Sequence, residues 1–280
     1  MIRPRELSSS LAAFPAKTPT LAPATHTNSY ALGGRDVLLV EPATPYEDEQ
    51  RAWIEWAHGL ASAGRRPVAI VATHHHPDHV GGIDVLAREL GLPVWAHAET
   101  ASRVGMEVAR LLVDGDVIDL DGPIPERWTV LHTPGHARGH VCLHEATRGT
   151  LVVGDMVASQ GTILVETRDG HMATYIAQLR RLAGLGARLA LPAHGEPIDD
   201  PTALFERYVA HRLGREAKVL DAVRSAAGPA ATDELVPVAY ADTPPLLYPI
   251  ARLALEAHLV KLEEDGLVVN EEGRWRPRIG

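Results

Sequence analysis

Ten residues, THHHPDHVGG from Thr73 to Gly82, carry four histidines and one aspartate ahead of a glycine pair. Imidazole and carboxylate are good ligands for Zn²⁺, and also for iron or manganese. His74 and His76 are two apart, so on a strand leaving a sheet they point the same way and can grip one ion. Asp78 and His79 follow where the chain turns into a helix near Gly81 and Gly82, and they would face a second ion. The glycines let the backbone approach without a Cβ in the way. The plainer alternative is a histidine-rich surface loop, and the rest of the chain must decide.

Side chains of this kind need a scaffold. Short β-prone apolar runs recur through the first two hundred residues: DVLLVEP (36–42), RPVAIVATH (66–74), LPVWAH (92–97), WTVLHTPGH (128–136), TLVVGD (150–155) and ARLALPAH (187–194). Runs this apolar suit strands covered on both faces. Helical segments at 47–64, 82–90 and 172–186 fall between several of them, which makes this a layered α/β protein. Four of the runs end on a candidate ligand, His74, His136, Asp155 and His194, while His97 at the end of a fifth reads as structural or surface. Loops at one sheet edge could bring those four together.

At this point a resemblance becomes plain. THHHPDH resembles the H-x-H-x-D-H signature of the metallo-β-lactamase superfamily, and later motifs follow in that superfamily's order. HTPGHARGH (132–140) is similar to its second motif, LVVGD to its third and LPAHG to its last. The resemblance implies a four-layer αββα sandwich with two divalent ions, zinc foremost and iron or manganese as alternatives. It implies His74, His76 and His136 on the first metal, Asp78, His79 and His194 on the second, and Asp155 bridging both. A metal-bridging hydroxide would attack the substrate, with Asp78 as ligand and acceptor of the water's proton.

The same resemblance narrows the chemistry. Asp155 stands where zinc β-lactamases typically use cysteine, and His76 where redox di-iron members have glutamate. Both activities are therefore disfavoured. The implied substrate is an ester or thioester, as in glyoxalase II. The lactamase-β-2-like proteins, some of which cut single-stranded RNA, match more of the chain. Glu41-Pro42-Ala43 departs from the usual Asp-Thr-Gly, and Glu41 is expected to take over that aspartate's support of the site. His140 and Tyr175 are further candidates to orient a ligand or touch substrate, with a purely structural role for His140 equally open. His75 should point away from the metals, and Cys142 should be a small buried residue on a strand.

Composition sets the remaining bounds. The chain has 280 residues and a formal charge of −9, with only three lysines. An acidic balance argues against a broad nucleic-acid footprint. One cysteine excludes an intramolecular disulfide and fits a reducing compartment, and the expected location is the cytoplasm. Residues 1–25, broken by prolines, read as an extended arm before the first strand of a catalytic domain spanning 1–204. Residues 205–280 read as a winged-helix-like domain: a helix over 205–227, Thr232 as a helix N-cap, helices at 233–240 and 246–264, then a hairpin around a glycine turn. This domain holds ten Lys/Arg against twelve Asp/Glu. Arg274, Trp275, Arg276 and Arg278 could meet a single strand, but the favoured reading has Trp275 in the core and the arginines solvated. The domain would then pack near the active-site mouth or form a homodimer contact, with no membrane partner. A DNA-binding ligand sensor without catalysis is the alternative of another class.

Overall fold

Alternation along β4 (Asp36–Val40) shows how the first sheet is built. Leu38 and Val40 join one buried cluster while Val37 and Leu39 join another, so both faces of this strand are covered. The computed structural model describes residues 4–278. The chain divides into two compact units, the first comprising residues up to 133, 138–162 and 186–201. The second comprises 134–137, 163–185 and 202 onward.

In the first unit a seven-stranded sheet runs in sequence order: β1 (Arg5–Ser8), β2 (Leu11–Lys17), β3 (His26–Leu32), β4, β5 (Arg66–Val71), β6 (Val94–His97) and β7 (Arg110–Leu112). β1 to β4 pair antiparallel, and β4 to β7 pair parallel. Parallel neighbours need crossovers. These are supplied by α1 (Glu47–Ser62), by α2 (Pro77–Val80) with α3 (Ile83–Leu90), and by α4 (Ala98–Ala101). The second sheet has the order β12-β11-β10-β9-β8. Its strands are β8 (Val117–Leu120), β9 (Glu126–His132), β10 (Val141–Glu145), β11 (Thr150–Gly154) and β12 (Leu189–Pro192), antiparallel except for β11 and β12.

One core cluster joins strands of both sheets, with Leu38, Val40 and Val71 packed with Trp128, Val130, Leu143 and Val152. The other puts Trp53, Trp56 and Leu60 of α1 and Leu86 of α3 on Leu39 and Ile70. Helix, sheet and sheet make three layers here. The helix between β11 and β12, α5 (Met172–Ala183), and the helix after β12, α6 (Pro201–Ser225), are grouped with the second unit.

That unit continues through β13 (Ala230–Ala231), α7 (Thr232–Ala239), α8 (Tyr248–Glu264), β14 (Val268–Glu271) and β15 (Arg274–Pro277). Three helices and the β13-β15-β14 sheet form a winged helix around Val219, Leu235, Leu255, Leu259 and Trp275. The wing turns at Glu272 and Gly273, whose φ of 53° and 82° fit a two-residue hairpin turn. Trp275 is buried, and Arg274 pairs with Glu234 at 3.0 Å, Arg276 with Glu271, and Arg252 with Asp233 at 2.6 Å.

Four sequence expectations change. The N-terminal arm is two sheet strands from Arg5 to Lys17, because its alternating residues reach the cores (its first three residues lie outside those described). α6 starts at Pro201 and runs through the 204/205 boundary, since proline suits a first helical turn. The second unit also takes in 134–137 and 163–185. Thr232 is the first residue of α7 rather than its N-cap, and Glu234 accepts the Ala231 N–H at 2.8 Å instead. Among the described residues no helix is long and apolar enough to cross a membrane.

Leu143 is fully buried in the cluster that spans both sheets. Leu143→Ala is expected to lower the unfolding free energy by about 2–5 kcal/mol in urea denaturation.

Candidate metal centre

Parallel pairing of β4, β5 and β6 puts the carboxyl ends of these strands on one edge. β5 stops at Val71, and residues 72–76 run out of the sheet without regular structure. Pro77 then opens α2, its fixed φ suiting a first helical position, so Asp78 and His79 fall in the first turn. A Cβ on Gly81 would lie 2.7 Å from the Pro77 carbonyl, and one on Gly82 2.6 Å from the Thr44 carbonyl. Both glycines are required, but for close packing on the loop after β4 and on their own turn.

Asp155 follows β11 directly, and His194 follows β12 by two residues. Four donor atoms converge there. His79 Nε2 lies 3.5 Å from Asp155 Oδ1 and 3.7 Å from Asp78 Oδ2, and His194 Nε2 lies 3.3 Å and 3.5 Å from the same two oxygens. These separations are long for hydrogen bonds to carboxylate. They match the edge of a tetrahedron around zinc, which bonds of ~2.0–2.1 Å place at ~3.3 Å. His79 Nε2 is buried with no hydrogen-bond partner. His74 Nε2 and His76 Nδ1 stand 3.0 Å apart beside this group, with the His74 and His79 rings 4.0 Å apart. The donor set fits divalent metal.

The backs of the rings explain why the lone pairs face inward. Thr73 Oγ donates to Glu41 Oε1 at 2.6 Å, so it accepts from His74 Nδ1–H at 3.0 Å. Glu41 Oε1 accepts from His79 Nδ1–H at 3.2 Å, and the His26 carbonyl accepts from His194 Nδ1–H at 3.0 Å. Each Nδ1 keeps the proton, and each Nε2 carries the lone pair. Glu41 is 1% exposed, and its carboxylate is occupied by Thr73 and His79. Both bonds lie behind the rings of His74 and His79, one through the Thr73 hydroxyl and the other direct. The Glu41 φ of 62° is unusual for a glutamate and costs on the order of 1 kcal/mol or more.

His140, left open by the sequence, is fully buried with Nδ1 2.8 Å from Thr133 Oγ, while Nε2 accepts the Asp155 N–H at 3.1 Å. It holds the backbone of Asp155. A Cβ on Gly154 would fall 2.5 Å from His140 Nε2, which accounts for glycine before the aspartate. Sequence reasoning missed Thr73, Thr133 and the His26 carbonyl. Thr73, adjacent to His74, was the one that could have been found. His75 is half-buried, and Cys142 is buried on β10 as expected.

His136 and Tyr175 belong to the second unit. His136 is buried, and its Nδ1 donates to the Leu164 carbonyl at 2.8 Å, which again puts the lone pair on Nε2. Tyr175 is fully buried on α5, its backbone packed against Gly135 so tightly that a Cβ there would lie 2.4 Å from Tyr175 Cα. It supports the His136 turn and has no exposed surface for a substrate.

The charges answer one another. Burial would lower the His194 imidazole, but Asp155 and Asp78 outweigh it and hold the group at about 10 against an ordinary 6.5. Burial likewise opposes ionisation of Asp78, yet His79 and His194 draw it down to about 2. Against the same burial, Asp155, Glu41 and Asp78 raise His79, while His79 and His194 lower Asp155. Without a cation, protons take its place.

The Metallo-beta-lactamase superfamily model matches residues 22–194, and a beta-lactamase associated winged helix domain matches residues 231–275. The chain belongs to the metallo-beta-lactamase superfamily. Members of this superfamily are mostly metal-dependent hydrolases. A beta-lactamase-like protein 2 homolog of Caenorhabditis elegans is 30% identical over 257 residues, covering 89% of this chain and 83% of that protein. An atrochrysone carboxyl ACP thioesterase of Aspergillus novofumigatus is 28% identical, covering 86% of this chain and 75% of its own. A metallo-beta-lactamase family protein from Thermus thermophilus, solved by crystallography, superposes with a TM-score of 0.78 at 27% identity, covering 98% of this chain and all of that one.

Glu41→Gln should weaken divalent-metal affinity about 10–100-fold in a chelator competition, as loss of an orienting carboxylate does elsewhere. A raised imidazole stabilises the fold below its unfolded pKa and ceases to do so as pH passes its folded value. For His194 that window runs from 6.5 to about 10. Metal-free protein should therefore lose thermal stability as pH rises through this window, and bound zinc should remove the loss by displacing the proton.

Proposed function

We propose that the protein is a binuclear metal-dependent hydrolase acting on an ester or thioester carbonyl. Asp78, His79 and His194 would hold one divalent ion, His74, His76 and His136 the other, and Asp155 would serve both. The observation that carries the reading is the ring of four donor atoms from Asp78, His79, Asp155 and His194, spaced at 3.3–3.7 Å with two imidazole lone pairs turned inward. His136 enters on its motif, supported by the same tie behind its ring. Mixed nitrogen and oxygen donors suit zinc first, with iron or manganese as alternatives. When bound, two such ions lower the pKa of a shared water towards neutrality and polarise the acyl oxygen.

The side chains do the rest. Asp78 has 16% of its side chain exposed, against 10% for Asp155 and 1% for Glu41. It is the carboxylate best placed to accept the water's proton. Glu41, Thr73 and the His26 carbonyl hold the rings so that nothing need reorient during turnover. The thioesterase named among the relatives supports acyl over phosphoryl chemistry. So does the winged helix, whose Trp275 is buried rather than free to stack on a base and whose Arg274 and Arg276 are paired with Glu234 and Glu271.

Zinc-loaded protein is expected to turn over members of a panel of glutathione and acyl thioesters, and chelation should abolish the rate. Asp78→Ala should lower kcat by about 100-fold or more, the usual scale for loss of a general base. A flat panel beside cleavage of a labelled oligoribonucleotide would replace the acyl reading with a phosphodiesterase. Salt-sensitive binding to duplex DNA without hydrolysis would point to a regulator.

A further inference from the structure

We infer that Arg212, on α6, is a positioning residue for the His136 imidazole, which the proposed function assigns to metal. The inference rests on the assignment of His136 as a ligand in the proposed function. The His136 ring is tied by a bond from Nδ1–H to the Leu164 carbonyl at 2.8 Å. Residues 162–166 have no regular secondary structure, so no ladder fixes that carbonyl. Arg212 does so from next door, with its Nη2 donating to the Ile163 carbonyl.

The same guanidinium sits 5.4 Å from the Tyr175 ring centroid, within cation–π range. Tyr175 forms a second wall, packed against the turn that carries His136. Its backbone N and Cα would lie 2.4 Å from a Cβ on Gly135, and Gly135 has a φ of +132° that glycine alone adopts readily. One buried cation thus touches both the segment that orients His136 and the helix against which its turn is wedged. A guanidinium only 3% exposed carries a desolvation penalty that a leucine or methionine at this helix position would avoid. Holding two walls at once needs the planar fork, which lysine lacks.

The test uses full-length protein in four forms beside wild type: Arg212→Met, His136→Ala, the double variant, and Gly135→Ala. Zinc stoichiometry and affinity are read by chelator competition, and the visible spectrum of the Co²⁺-loaded protein shows which ion is affected. Wild type should take up two ions. Arg212→Met should weaken one of them about 10–100-fold, the scale for losing a partner that orients a ligand. It should be the same ion that His136→Ala loses, with the other retained, and the double variant should be no weaker than His136→Ala alone. Gly135→Ala, which displaces the turn from the Tyr175 side, should reproduce the selective loss. Should Arg212→Met not fold, Arg212→Lys and Gly135→Ala give the same readings. Both ions bound as in wild type, or both weakened in parallel, or additive losses in the double variant would overturn the inference. Fewer than two ions on the wild-type protein would overturn the binuclear reading, and this inference with it.

Discussion

Imidazole lone pairs turned towards two carboxylates, one buried and one half-buried, are the constraint around which this protein is organised. Asp78 and Asp155 repel one another at close quarters, and burial makes their charge costlier still. Only positive charge between them relieves this. Were the tautomers reversed, N–H groups would face inward and no cation could enter. Glu41, Thr73 and the His26 carbonyl prevent that by taking the protons on the far side of the rings.

The sheets matter because they hold these partners in place. Glu41 follows β4, the histidine segment follows β5, Asp155 follows β11 and His194 follows β12, each at the carboxyl end of its strand. Two parallel pairs, β4 with β5 and β11 with β12, deliver those ends side by side. Packing between β4, β5 and the second sheet through Leu38, Val40, Val71, Leu143 and Val152 fixes the separation of the two edges. A core packed to crystal-like density transmits small displacements, so ligand spacing of a few ångströms can be maintained across two sheets.

Glu41 shows what the length of one side chain permits. A side chain one methylene longer than aspartate reaches both Thr73 and His79, and its backbone sits at φ 62° to do so. The neighbouring Ser29 hydroxyl, which donates to the Glu41 carbonyl, helps hold that conformation. In the C-terminal unit Arg274 and Arg276 of the wing are paired and its tryptophan is buried, consistent with a module whose acidic balance already spoke against binding phosphates.

The candidate ligand residues and the layered α/β class could be picked out because each candidate lies in a short local motif after an apolar run. The strands from Arg5 to Lys17 could not, since prolines mask their alternation and their partners are distant. Nor could the orienting groups: a threonine, a histidine facing a backbone amide and a main-chain carbonyl leave no pattern in sequence. Arg212 was equally silent, one arginine among several on a helix. The sequence by itself determined which atoms could bind metal, because ligand chemistry belongs to the side chain. Only the tertiary structure decided which way those atoms point, because a ring's tautomer and direction depend on acceptors brought from strands more than a hundred residues apart, as His26 and His194 are.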